Sequence, residues 1–247
     1  MSCNNTSPVT RNYVGSTAYD LRHRTSYDTS CGNGVHGGQH SEEFNSTFHT
    51  QCNNWANSFA SYCATYGPFT LDWVGDVGVT VCKPGRHGEG RAFDLTHIRA
   101  TNGTLIDMNT SWNLARSCAS ATTRRRYIGT AASLRRYFGT VLTAWYNADH
   151  QNHIHFDNGT SVGPINSGLE TDTKLVQVSC NYLNGESLAI DGAWGPLTDA
   201  AYGRLLTKFR LGCRNPRGNT ADALLFLDLI VKHGLRGIAA GTYFGPC

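Results

Sequence analysis

The side chains best able to do chemistry gather in two short segments, HGEGRAFD at residues 87–94 and DHQNHIHFD at residues 149–157. Alternate side chains of a strand share a face. The second segment, read as a strand, therefore turns His153, His155 and Asp157 one way and Ile154 and Phe156 the other. Asp94 belongs on a neighbouring strand, and the glycines around His87 let the chain fold that ring back over it. Two imidazoles and one carboxylate suit Zn2+ with a fourth position left for water, whose pKa falls there to about 7. A spare histidine would act as general base or steady an oxyanion. The spacing alone leaves open which of His153 and His155 is the ligand.

Other polar side chains read more plainly. Arg86 and Arg91 flank His87 and are expected to meet a substrate carboxylate. Asp149 and Asp157 read as structural, capping turns or accepting from the histidines. His36 and His40 are four apart, but the glycines between them argue against a helix and hence against a second metal site. His23, His49, His97 and His233 read as isolated, satisfied groups, and Glu42 and Glu43 as solvated ones.

The elements that must hold these groups follow from periodicity. Residues 55–66 repeat apolar side chains at helical spacing up to Gly67 and Pro68. Residues 69–82 read as a strand pair, and residues 91–98 and 152–157 as further strands. A second helical region spans 111–142, with Ala131, Leu134, Phe138 and Val141 on its apolar stripe and Arg124, Arg125, Arg135 and Arg136 on a solvated face. Residues 1–50 read as an irregular arm stapled by Cys31 and Cys52, and residues 161–172 as a linker. Beyond the linker the pattern is helical, ending in a nearly all-apolar helix at 221–233 capped by Thr220 and stopped by Gly234. Strands and helices mix without a βαβ rhythm, which predicts an α+β fold.

The pattern HxxGxAxD (His87, Gly90, Ala92, Asp94) followed by HxH (His153, His155) resembles the zinc-peptidase group of D-Ala-D-Ala carboxypeptidases, lysostaphin and the hedgehog fold. It is more similar still to extensin-like C-terminal domains, through Cys82, Cys118 and the ending Tyr146, Asn147, His150, His153, His155, Asp157. The resemblance covers roughly residues 55–160. It implies a catalytic domain at 51–160 with a small antiparallel sheet, in which His87, Asp94 and His155 bind Zn2+. His153 would then be the catalytic histidine and His150 a neighbour of the ligands or substrate. Two departures stand out: Gly85 where many relatives carry Ser, and Asn152 where many carry Glu. In the C-terminal third, Asp191, Gly192, Trp194, Gly195, Pro196, Thr198 and Ala201 resemble the DGxWGPxTxxA signature of three-helix peptidoglycan-binding-like domains, which implies such a domain at 173–247.

Composition bounds the rest. Hydrophobic residues make up 40% of 247, enough for a core, and no apolar run is long enough to span a membrane. Twenty-one basic against eighteen acidic residues argue against nucleic acid as partner. Nine scattered cysteines without a CxxC pair suggest disulfides and an oxidising compartment, with Cys247 the easiest to leave free. No signal peptide is legible before the polar start, so the expectation is a mature form or export by another route. The expected protein is a monomeric, secreted or envelope zinc metallopeptidase that cleaves an amide in peptidoglycan peptides, its C-terminal domain held to the wall. The alternative is a non-catalytic, zinc-stabilised wall-binding or structural protein of the same fold.

Overall fold

A computed structural model describes residues 3–16, 18–26, 35–103, 105–113 and 119–237; Cys31, Cys118 and Cys247 lie outside them. In chain order the elements are β1 (Pro8–Arg11), β2 (Tyr13–Val14), β3 (Tyr19–Ser26), β4 (Val35–Gln39), β5 (Glu42–Asn45), α1 (Ser46–Tyr66), β6 (Leu71–Asp76), β7 (Ala92–Ala100) and β8 (Leu105–Asp107). There follow α2 (Ala121–Arg135), β9 (Thr140–Leu142), β10 (Ile154–Asp157), α3 (Glu170–Asn184), α4 (Pro196–Lys208) and α5 (Thr220–Arg236). The fold is α+β, as expected. Its main sheet is larger than the small antiparallel one anticipated: it runs β2-β3-β6-β7-β10-β9, with β4 on β3 and β8 on β7, and β3 lies parallel to β6.

The stretch expected as an irregular arm carries five strands and the start of α1. Short strands among polar turns leave little periodicity to read, because each alternates over only a few residues. The proposed staple is absent, since Cys52 is a buried free thiol on the core face of α1. Cys3 instead bonds Cys82, tying the chain start to the loop at 77–90. That loop replaces the second half of the expected strand pair at 69–82. Asn45 begins α1 by accepting from the Thr47 and Phe48 amides, and Phe48, Cys52, Trp55, Phe59 and Cys63 recur on one face of the helix. This face packs on the sheet, where Phe93 and Phe156 stack at 5.1 Å and Trp55 lies 5.8 Å from Phe156.

The arginines of α2 do not form a solvated face. Arg135 forks onto Asp172 at 2.7 and 3.0 Å with both side chains buried. Arg124 bonds the Tyr182 hydroxyl, Arg125 donates to the Tyr182 carbonyl, and Arg136 donates to the Tyr62 hydroxyl. The region read as a linker is pinned as well: Ile165 is buried and its N–H reaches the Pro216 carbonyl, while the Asn166 N–H reaches Asp172. One hydrophobic cluster runs from Val14 through α1, the sheet and α2 into α3, α4 and α5. The Asp-Gly-x-Trp-Gly-Pro turn does form as read: Gly192 has φ +76°, Asp191 accepts from the Ala193 amide, and Pro196 opens α4.

Candidate metal centre

Asp94 on β7 and His155 on β10 are directly opposed across an antiparallel pair, so both side chains leave the same face of the sheet. Their neighbours Phe93, Leu95, Ile154 and Phe156 are buried on the other face, which fixes the register: a one-residue slip would drive Asp94 and His155 into the core. His87 arrives from the loop at 77–90. The Gly90 N–H closes a turn onto the His87 carbonyl, the Arg91 N–H bonds the Arg86 carbonyl, and the Asn4 N–H bonds the Gly88 carbonyl. Gly90 has φ +66°, and a β-carbon there would lie 2.8 Å from the Asn45 nitrogen, so only glycine allows this return.

Three donor atoms converge as a result. His87 Nε2 lies 3.3 Å from Asp94 Oδ2 and 3.2 Å from His155 Nδ1, and His155 Nδ1 lies 2.8 Å from Asp94 Oδ1. For metal–donor bonds of 2.0–2.1 Å, a tetrahedral site has donor–donor edges of about 3.3 Å. Each ring is fixed from behind. His87 Nδ1–H donates to the Val79 carbonyl at 2.7 Å, and His155 Nε2 meets Asp157 Oδ2 at 3.2 Å, so the nitrogens facing the centre are the ones that would offer lone pairs to a bound cation. His87, Asp94 and His155 thus form a group with metal-ligand spacing, and the donor set fits Zn2+.

The electrostatics agree with this arrangement. Burial opposes ionisation of Asp94, but hydrogen bonds from His155 and His87 override it and hold the carboxyl well below the usual range. Burial also opposes a charge on His155, yet Asp157 and Asp94 push its pKa up to about 9. In the absence of a cation this ring therefore carries the positive charge between the two carboxylates. His153 differs: burial pushes it down to about 4, leaving it neutral near pH 7. Its Nδ1 lies 2.7 Å from Asn152 Oδ1 and its Nε2 3.6 Å from Asp94 Oδ1, at the edge of the centre.

The other expected residues fall into place unevenly. The His150 ring lies 5.1 Å from His153 and, edge-on, 6.0 Å from His155, with Nδ1 on Asn147. Asp149 is exposed on the same short turn, Ala148–His150, with its N–H on Asn147 Oδ1. Arg86 and Arg91 share the Glu89 carboxylate, and Arg91 also forks onto the side chain and carbonyl of Asn158, so both brace the loop. Sequence reasoning missed the Val79 carbonyl, which any residue type could supply. It left Asp157 as merely structural, although its place two residues after His155 on the same face was legible.

The family model of the extensin-like protein C-terminus matches residues 78–165. This span holds His87, Asp94, His150, His153 and His155 and ends before α3. No curated protein and no solved structure gives a significant match.

Proposed function

We propose that the protein is a zinc-dependent hydrolase that cleaves an amide bond in peptidoglycan peptides, acting outside the cell or in its envelope. The observation carrying this reading is the triangle of donors with edges of 2.8–3.3 Å, each imidazole held from behind, beside a neutral third histidine, His153. His87 Nε2, Asp94 and His155 Nδ1 would hold the ion. Zn2+, when bound, supplies Lewis acidity that polarises a carbonyl and makes water nucleophilic near pH 7.

His153 does the proton handling. With Nδ1–H donated to Asn152, its Nε2 lone pair faces the centre and can accept a proton from the attacking water. The imidazolium so formed donates to the developing oxyanion and then protonates the leaving amine. Asp94 stays ionised throughout, and Asp157 keeps the His155 ring from turning away. The polar strands that could have capped the site are engaged elsewhere: His40 and Glu42 gather at Asp76, and His36 packs on His97 and Trp73. That favours an open site over a plugged, purely structural one. The disulfides at Cys3–Cys82 and at Cys213 suit an oxidising compartment. A groove of about 830 Å3 between the loop at 160–167 and α4, lined by Tyr202, Arg214 and Arg217, offers the C-terminal helices a surface for the wall polymer.

Digestion of purified peptidoglycan with and without a chelator, with products identified by mass, tests the reading. Cleavage at a peptide amide that the chelator abolishes is expected. Asp94→Ala and His87→Ala should lose metal and cleavage together, whereas His153→Ala should keep the metal and lose about 100- to 10,000-fold in kcat. Stoichiometric zinc with no cleavage of any wall peptide overturns the enzyme in favour of a wall-binding protein. Equal loss of zinc in all three variants overturns the separate role of His153.

A further inference from the structure

A second group of side chains able to ligate a metal lies at the end of β6; in the sequence His23, His40 and Glu42 read as separate groups, and Asp76 is not singled out. β3 supplies His23, the turn from β4 to β5 supplies His40, β5 supplies Glu42, and β6 supplies Asp76. Because β3 runs parallel to β6, His23 and Asp76 are register partners at the same end of the sheet. The short step from β4 to β5 then brings His40 and Glu42 over them.

The four side chains converge on one point. Asp76 Oδ1 lies 3.0 Å from His23 Nδ1, and Asp76 Oδ2 lies 2.9 Å from His40 Nε2. Glu42 Oε1 stands 4.0 Å from His23 Nδ1 and 3.9 Å from His40 Nδ1. One ligand atom from each of the four residues lies within 4.8 Å of the others. The Asp76 side chain is completely buried, and both its oxygens face the two rings. A buried carboxylate needs compensation from directed charge, and a second carboxylate beside it doubles that need.

We propose that His23, His40, Glu42 and Asp76 form a second divalent metal site, of structural kind and suited to Zn2+. Two imidazoles with two carboxylates make a complete four-donor set, the closed shell of a structural site, where the centre at His87 keeps a position open. The imidazoles discriminate against Ca2+ and Mg2+, which take oxygen donors. The two rings lie with centroids 5.2 Å apart on either side of the Asp76 carboxylate, so one divalent ion among them places its charge at a single point opposite both carboxylates.

The site braces the first one through a single residue. The Val79 N–H points at Glu42 Oε2 at 3.4 Å, and the Val79 carbonyl accepts from His87 Nδ1 at 2.7 Å. Filling the second site fixes Glu42, hence the Val79 peptide, hence the orientation of His87.

Zinc titration of the metal-free full chain against a competing chelator tests this without reference to hydrolysis, so an inactive protein still gives an answer. The wild type should take two equivalents, Asp94→Asn one, His23→Gln/His40→Gln one, and the triple variant none. Co2+ in the Asp94→Asn chain should show the intense visible absorption of a four-coordinate ion. In the His23→Gln/His40→Gln chain, the remaining site should bind Zn2+ about tenfold more weakly than in wild type. A wild type that takes one equivalent, lost in Asp94→Asn, overturns the proposal and makes the cluster a protonated ion-pair network. That comparison holds even where the double variant fails to fold, because Asp94→Asn leaves all four proposed ligands intact.

Discussion

Asp157 holds the far nitrogen of His155 at 3.2 Å while its other oxygen takes the Gly159 N–H at 2.7 Å. Burial opposes its ionisation, but the hydrogen bonds from His155 and Gly159 keep its carboxyl below the ordinary range, so it presents a full charge to the ring. That charge raises the basicity of the facing nitrogen and stops the ring from rotating. Asp157→Asn should therefore weaken Zn2+ binding about 10- to 100-fold, measured by chelator competition. Unchanged affinity alongside lowered thermal stability would assign Asp157 to packing instead. The four residues that meet at the centre were legible as HxxGxAxD and HxH because metal chemistry restricts side-chain type. Their supports were less so: Val79 acts through its backbone, and Glu42 reads as solvated although the fold half-buries it beside Asp76 with its carboxylate on the Val79 N–H.

Helix α5 shows how an element can be legible while its ends and partners are not. Its apolar run announced a buried helix, but Asn219 rather than Thr220 caps it, accepting from the Asp222 amide, and Gly237 at φ +68° ends it. Gly234, read as the stop, sits inside the helix. It is the point where α5 crosses α2, and a β-carbon there would lie 2.5 Å from the Arg125 carbonyl oxygen and 2.6 Å from the Gly129 α-carbon. Close helix packing and helix termination both select glycine, and one sequence cannot separate them. Gly234→Ala should cost about 1–3 kcal/mol in urea unfolding, where a surface helical glycine would gain stability on the same change. The preceding residue, His233, packs 5.0 Å from Phe209. Burial, with Arg236, Lys208 and Lys232 nearby, pushes it down to about 3. The unfolded chain takes up a proton near pH 6.5 while the folded chain does not, so stability falls as pH drops from about 6.5 towards 3. His233→Gln should flatten that fall between about pH 7 and pH 4.5, seen as a smaller drop in the urea midpoint than wild type shows. An equal drop in both would place the acid sensitivity in the carboxylates at Asp76, Asp94 and Asp107.

The same contacts decide whether the chain is one cooperative unit or two. Composition at 161–172 argued for two domains, because glycine, serine and proline mark linkers and surface loops alike. The structure pins this segment, with Pro164 accepting from Arg135 and Ile165 in the core, and lays α5 on α2 at a distance only glycine permits. Strand β10 packs on α1 through Phe156, α1 and α2 contact α5, and one hydrophobic cluster takes in all of them. Calorimetry of the full chain should accordingly show one endotherm, and residues 1–169 alone should lack cooperative unfolding because the α2 face that meets α5 would be exposed to water. Two resolved transitions, or a folded and metal-binding 1–169 fragment, would restore the two-domain picture. A single substitution probes the same junction more gently. Arg135→Ala leaves Asp172 buried without its guanidinium partner, which should cost about 3–5 kcal/mol, and Asp172→Ala strands Arg135 at similar cost. In the double variant both charges are gone, so its loss should be well below the sum of the two. With zinc held at His87, Asp94 and His155 as proposed, each of these losses in a cooperative chain lowers the temperature of metal release together with the midpoint of α3–α5. Metal release that stays at the wild-type temperature while the helices melt earlier would show that the region around His87 and His155 folds independently of them.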